Sequence, residues 1–240
     1  MKLLADMHTH TVASGHAYST IDENMRAAAG QGMQFVAMTD HAPMMQGTTN
    51  HAYFANLGVL PDMLHGVRLL KGIEVNIVDY EGTVDMDNMI LSQMDIVIAS
   101  LHSPCLKPGS RKENTRAYLA AMENPWIDVI GHPGDPRYDV DYEEVFERAK
   151  ETGTLLEMNN ASLIPGGHRD GSGELMERIL RLSMRDSIPI IVGSDAHFYT
   201  GVGVFSYVEA LFEKVGFPEE LVLNTQPELL LNALKRNKKK

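Results

Sequence analysis

Nine side chains of metal-binding type punctuate the chain, each at or just after the end of a short apolar run: His8, His10, His16, His41, Glu74, His102, His132, Asp195 and His197. Neutral imidazole and carboxylate are the ligands that hold zinc, manganese or iron. His8 and His10 stand two apart, and residues two apart on a strand point to one side. Both rings can then enter one interior while Met7 and Thr9 face away. Asp6 shares the histidines' side and is expected to accept the second ring N–H of one of them, fixing its tautomer. Asp195-Ala196-His197 repeats the spacing late in the chain. Glu74 lies in Gly72-Ile73-Glu74-Val75-Asn76, where an ionised carboxylate is costly to bury without a cation. Any one of these residues alone reads equally as an ordinary core or surface group. Their joint recurrence reads as a metal centre.

The elements that must position them are seven apolar runs, over residues 3–8, 35–39, 67–75, 96–101, 127–131, 155–158 and 188–194. Helical patterns lie between them. Thr20 with Glu23, Ser110 with Glu113, Asp141 with Glu144, and Thr225 with Glu228 behind Pro227 are read as capping boxes. A helix over 173–186 would present Leu175, Ile179, Leu182 and Met184 inward. Strands alternating with helices imply a parallel sheet, and no linker or repeat divides the series, so one domain over 1–240 is expected. An open sheet of seven strands would spread its ligands over about 29 Å, at about 4.8 Å per gap. Only a closed barrel gathers all the strand ends at one mouth. The fold expected is therefore α/β, a distorted (β/α)7 barrel of TIM-barrel type.

The net charge of -11 argues against a nucleic-acid groove, which needs clustered Lys and Arg. The basic run 235–240 is expected to end the last helix, where cations suit the dipole. Cys105 is the only cysteine, so no internal disulfide can form. A strand pattern begins almost at once and no apolar run could span a bilayer, so a cytoplasmic protein without a membrane partner is expected. Met86, Met89 and Met94 are read as core filling. His51 and His65 fall outside the motifs and are read as surface residues.

The segments His8-Thr9-His10-Thr11, Thr39-Asp40-His41, Gly72-Ile73-Glu74, Ser100-Leu101-His102, Gly131-His132-Pro133 and Ser194-Asp195-Ala196-His197 together resemble the PHP (polymerase and histidinol phosphatase) superfamily, most of all its YcdX-type phosphatases. His16-Ala17-Tyr18-Ser19-Thr20, Glu157-Met158-Asn159-Asn160 and Gly203-Val204-Phe205 extend the similarity over almost the whole chain. The resemblance implies a seven-stranded barrel with three divalent metals, usually zinc, with manganese or iron as alternatives. One metal would take His8, His10, Glu74 and Asp195. A second would share Glu74 and add His102 and His132, and a third would take His16, His41 and His197. Three such ions against two ligand carboxylates leave a pocket of about +4, which draws a dianionic phosphate. The activity implied is hydrolysis of a small phosphomonoester by a metal-bound hydroxide, with Glu74, Asp195 and His197 as the catalytic set. The same superfamily offers a phosphodiesterase or 3'-5' exonuclease and a histidinol phosphatase as alternatives. A metal-binding protein without turnover is a fourth reading.

Around this set, Arg169 precedes a helix in Gly167-His168-Arg169-Asp170-Gly171, where a guanidinium and a helix N-terminus can share a phosphate. Relatives often carry a second basic residue where this chain has Asp170. His168 and Arg137 complete the candidate substrate contacts, His168 also as an acid toward the leaving group. Asp40, Glu157 and Asn159 are read as orienting groups, and Tyr18 as pocket lining or packing.

Overall fold

The computed structural model describes residues 1–235. Its strands are β1 (Ala5–Thr9), β2 (Phe35–Met38), β3 (Met63–Leu64), β4 (Val67–Asn76), β5 (Ile96–Ser100), β6 (Val129–Ile130), β7 (Leu155–Asn159) and β8 (Ile190–Gly193). Around them run α1 (Ile21–Gly30), α2 (His51–Ala55), α3 (Asn88–Leu91), α4 (Arg111–Met122), α5 (Tyr142–Thr152), α6 (Ser172–Asp186), α7 (Ser206–Val215) and α8 (Pro227–Ala233). The strand order is β1-β2-β4-β5-β6-β7-β8, parallel throughout, so each of the seven expected runs supplies one strand of the main path. The unexpected member is β3, which turns back antiparallel onto β4 through His65-Gly66, both with positive φ (52° and 81°). That pair of conformations makes the tight turn that suits a hairpin.

The sheet curls into a nearly closed barrel. At the upper end of the seam, the Asp195 amide donates to the His8 carbonyl (2.8 Å) and the His10 amide to the Ala196 carbonyl (2.9 Å). Lower down no strand pairing closes the gap. Asn224 fills it instead: its side chain donates to the Ala5 and Val192 carbonyls (both 2.8 Å) and accepts from the Val192 amide (2.7 Å). One carboxamide thus does the work of a missing ladder step.

Two apolar layers form. The outer one packs the helices on the sheet. The inner one fills the barrel with Ala5, Met7, Phe35, Leu70, Ile96, Ile98, Val129, Leu155 and Ile191, stoppered by Leu230, Leu231 and Leu234 at α8. Among the described residues the site therefore sits on an apolar floor, with its opening at the C-terminal mouth.

Met7 faces this interior, not outward as the strand period suggests. The cause is an irregularity in β1, where Asp6 pairs with Val36 but Thr9 with Met38. Three steps on β1 match two on β2, so the extra residue flips the face between Asp6 and His8.

Helix starts follow the sequence at Thr20/Glu23 and Ser110/Glu113, both full capping boxes. Asp141 caps α5 through the Glu143 amide without the reciprocal bond. Thr225 caps nothing: its hydroxyl donates to the Val222 carbonyl, and Gln226 precedes Pro227 at the start of α8. On α6, Ile179 and Leu182 are buried as expected, whereas Met184 is exposed and Met176 and Leu180 take inner positions. Met86 and Met94 fill the core; Met89 is 69% exposed. α8 ends at Ala233, before the basic run. Lys235 is buried, its amide donating to Asp128 (2.6 Å), and residues 236–240 lie outside the described residues. Among the described residues, no helix is long and apolar enough to cross a membrane.

Candidate metal centre

The strand ends deliver eight of the nine candidates into one cup above the apolar floor, and His16 reaches it from the loop after β1. His8 and His10 lie on β1 and just past it, Glu74 near the end of β4, His41, His102 and His132 just beyond β2, β5 and β6, and Asp195 and His197 both beyond β8. His132 and Asp195 hold positive φ (30° and 57°), a costly conformation outside glycine. Gly193 is required for closeness: a Cβ there would stand 2.2 Å from Glu157 Oε1 and 2.4 Å from His8 Cβ.

Three groupings of donor atoms result. His8 Nε2 lies 3.0 Å from His10 Nε2 and 3.4 Å from Glu74 Oε2, and Asp195 Oδ1 lies 3.2 Å from His10 Nε2 and 3.8 Å from His8 Nε2. Glu74 Oε1, His102 Nε2 and His132 Nε2 form a triangle with edges of 3.0, 3.2 and 3.3 Å. Two nitrogens on one tetrahedral zinc, each bound at about 2.0–2.1 Å, would stand about 3.3 Å apart. The third grouping departs from the set implied by the family. His10, His41 and His197 cluster, while His41 Nδ1 turns toward Glu74 Oε2 at 2.6 Å. His16 stacks on His41 (ring centroids 5.0 Å apart) and tilts against His197 (4.8 Å) at the exposed lip.

Whether divalent cations fit can be tested on the polar atoms. Glu74 Oε2 and His41 Nδ1 are both buried and neither makes a hydrogen bond, despite their 2.6 Å contact. A buried carboxylate oxygen and ring nitrogen left in this state are costly unless a proton or a metal cation joins them. The electrostatics agree. Burial alone would raise the Glu74 carboxyl, yet His41, His8 and His102 hold it well below the usual carboxylate range. Burial likewise opposes ionisation of Asp195, and His8, His10 and Arg169 reverse it. Burial pushes His102 down to about 3, and burial together with His41 and His197 holds His10 well below its ordinary value. These imidazoles are neutral lone-pair donors, the form that ligates metal. His8 is the exception: burial favours its neutral form, but Glu157, Glu74 and Asp195 together hold it well above.

An outer ring aims these donors. Glu157 accepts from His8 Nδ1 (2.8 Å) and from the His132 amide (2.7 Å). Asn76 takes His102 Nδ1 (2.7 Å), and Ser100 donates to Glu74 Oε1 (2.6 Å). Asp40 receives Thr11, Ser14 and Tyr53, and the Ser14 hydroxyl lies 3.2 Å from His10 Nδ1. Asp6 does not orient a histidine ring. Carried to the other face by the irregularity in β1, it accepts the Ser194 and Gly203 amides (both 2.9 Å) and ties the seam. Asn76, Ser100, Ser14 and Asp135 were not singled out from sequence. A period-two search around Glu74 and His102 finds the first two, since Asn76 and Ser100 each lie two residues away on one strand face.

A cavity of about 460 Å³ opens above the cup, lined in part by His16, His102, Ser103, Ile164, His197 and the three candidate substrate contacts. Arg169 is almost buried and donates to Asp195 Oδ2 (3.0 Å). Arg137 is gripped by Asp135 and donates from Nη1 to His168 Nε2 (2.8 Å). Because a guanidinium only donates, the His168 proton sits on Nδ1. Burial, Arg137 and Arg169 also lower the His168 pKa, which counts against its service as an acid. Tyr18 is 73% exposed and lines nothing. His51 pairs with Asp87 and His65 with Asp22 at the surface. Burial pushes the Cys105 thiol up to about 11, away from nucleophilic use.

The outer ring yields one prediction. Glu157→Ala frees His8 Nδ1 and leaves the His132 amide unpaired in the interior. Zinc affinity, read by competition with a chromophoric chelator, is expected to fall about 10–100-fold with the circular dichroism spectrum unchanged. Undiminished affinity would show that Glu157 does not orient His8.

Comparison with known proteins agrees with the geometry. The PHP domain family matches residues 6–163. A probable phosphatase of Thermoanaerobacter sp. (strain X514) is 47% identical over 241 residues, covering 100% of this chain and 98% of that protein. A probable phosphatase of Clostridium novyi (strain NT) is 44% identical over 235 residues, covering 98% and 96%. Among solved structures, the histidinol phosphate phosphatase of Lactococcus lactis subsp. lactis, complexed with zinc, L-histidinol and phosphate, shares the fold. It has a TM-score of 0.63 and 16% identity, covering 91% of this chain and 95% of that one. The chain belongs to the PHP domain family and is a hydrolase, with relatives over its full length that bear the name of phosphatases.

Proposed function

We propose that the chain is a metal-dependent phosphomonoesterase acting, as one catalytic domain, on a small phosphorylated molecule. The observation that carries this reading is the Glu74–His41 contact: a buried carboxylate oxygen and a buried ring nitrogen, neither with a hydrogen bond, at the meeting point of the donor groupings. Three divalent cations, most readily zinc, would be held by His8, His10, Glu74 and Asp195; by Glu74, His102 and His132; and by His16, His41 and His197, with small turns of His41 and His16. Such ions, when bound, supply Lewis acidity toward phosphoryl oxygens and a water ionised near neutral pH.

The chain's own residues do the rest. Glu74 offers one oxygen to each of two groupings and so sets their spacing. Asp195 points Oδ1 into the cup while Arg169 and Asn159 (3.2 Å) hold Oδ2. His197 stands at the lip between cup and cavity, its Nδ1 near the Asp195 carbonyl (2.9 Å), leaving Nε2 for the site. Arg169, beside the cup and next to the start of α6, is the phosphate contact of choice. Arg137 and His168 line the cavity beside it. The barrel floor excludes water from below, which strengthens each of these interactions.

The test is a comparison of three substrates on zinc-loaded protein: an aryl phosphate, a bis-aryl phosphate and labelled single-stranded DNA. The monoester is expected to turn over at least about 100-fold faster than the other two, a margin of about 3 kcal/mol in transition-state binding. A preference for the diester or DNA would replace this reading with the nuclease alternative. A histidinol phosphate arm separates a general monoesterase from a dedicated histidinol phosphatase. Inactivity of fully loaded protein on every ester would favour the non-catalytic alternative.

A further inference from the structure

We propose that Asp135 is a positioning residue, a buried carboxylate that fixes arginines from two different loops, Arg137 and Arg169, as one paired cationic wall of the cavity. The proposal rests on the phosphatase reading and names the residue that shapes its phosphate contacts.

Asp135 is 1% exposed and lies in the loop after β6, its amide donating to the His132 carbonyl (3.2 Å). Oδ1 accepts the Arg137 amide (3.0 Å) and Nε (2.9 Å), and Oδ2 accepts Arg137 Nη2 (2.5 Å). The same Oδ2 lies 3.6 Å from Nε of Arg169, which arrives from the loop after β7. That Nε is buried and has no hydrogen-bond partner. Both guanidiniums line the cavity.

Two cations so close repel unless an anion stands between them, and Asp135 is the carboxylate shared by both. A buried carboxylate with one clamped arginine would already be satisfied, so the second, nearly buried arginine points to a joint role. Asp135 offsets one of the two charges, and Asp195, 3.0 Å from Arg169 Nη1, faces the other from the side of the cup. Arg169 Nη1 is occupied by Asp195, and Arg137 Nη1 by His168 and Ser103 (3.3 Å). The pair is thus preset in position before a phosphate arrives, which lowers the entropic cost of binding.

The experiment compares zinc-loaded wild type with Asp135→Asn, which keeps the volume and removes the charge. The probes are inorganic phosphate, by calorimetric Kd, and an aryl phosphate, by kcat and KM. Expected are increases in phosphate Kd and KM of about tenfold or more, with kcat and metal content each within about threefold. An unchanged Kd would overturn the proposal, and so would a loss confined to kcat and metal content. If Asp135→Asn does not fold, the Arg137→Met and Arg169→Met pair carries the test. A wall acting as a unit makes the double variant little worse than either single one, whereas independent arginines give multiplying losses and end the idea. Wild type that neither binds phosphate nor turns over ester would sink the phosphatase reading as well. Wild type that does both beside an unaffected Asp135→Asn sinks this proposal alone.

Discussion

Glu74→Gln is expected to lower kcat/KM on an aryl phosphate by at least about 10⁴-fold and to reduce bound metal from the proposed three ions per chain to one or none. The substitution preserves size and can keep the Ser100 hydrogen bond at Oε1, now 2.6 Å. It removes a charge that two groupings share, since Oε1 faces His102 and His132 and Oε2 faces His8, His10 and His41. A carboxamide also presents N–H groups where acceptors are needed, and neutral imidazoles cannot all turn away from them in a close-packed cup. Residues that act as a unit lose nearly everything with one member, so the expected loss is that of the whole centre. Gly193→Ala, whose Cβ would collide with both Glu157 Oε1 and His8 Cβ, should produce only a fraction of it. Elemental analysis and kinetics on one preparation decide the matter. Glu74→Gln protein with a full metal complement and activity within tenfold of wild type would remove Glu74 from the centre.

The sequence made the site more legible than its supports. Each ligand candidate stood at the end of an apolar run, and in a parallel barrel that position is the mouth; His8, Glu74, His132 and Asp195 could be read together for this reason alone. What resisted reading depended on contacts distant in sequence or on local breaks of period. The irregularity in β1 sends Asp6 to the seam and Met7 to the interior, and no strand alternation predicts an inserted residue. Asn224 closes the barrel from a segment with no strand pattern, and its neighbour Thr225 imitates a helix cap that the chain does not use. His65-Gly66 makes a hairpin turn whose first residue is not one of the common turn formers. Arg137 is legible as a candidate substrate contact and does line the cavity; its clamp by Asp135 is not legible, because nothing in the sequence shows which group holds a loop arginine. Propensity and period report on neighbours in the chain, while the outer ring of the site was selected across it.

Removing the metals should expose how far the fold leans on them. Chelator-stripped protein is expected to lose activity to background and to melt about 8–16 °C lower than zinc-loaded protein, with both recovered on reloading. The figure follows from linkage: one site held at about 1,000 times its Kd contributes about 4 kcal/mol, and a domain of this size shifts roughly 2–4 °C per kcal/mol. Without cations, burial lowers the His8 pKa, but Glu157, Glu74 and Asp195 together hold it well above its ordinary value, which favours a proton on the ring. That proton must leave when His8 ligates, so loading releases protons and affinity falls in acid. The zinc-induced rise in melting temperature should therefore be larger at pH 8 than at pH 6 at equal free zinc. The direction does not depend on how the three groupings divide the ligands, since each draws on neutral imidazole. A zinc effect that is absent, or that grows toward acid, would mean the donor atoms meet for some reason other than metal.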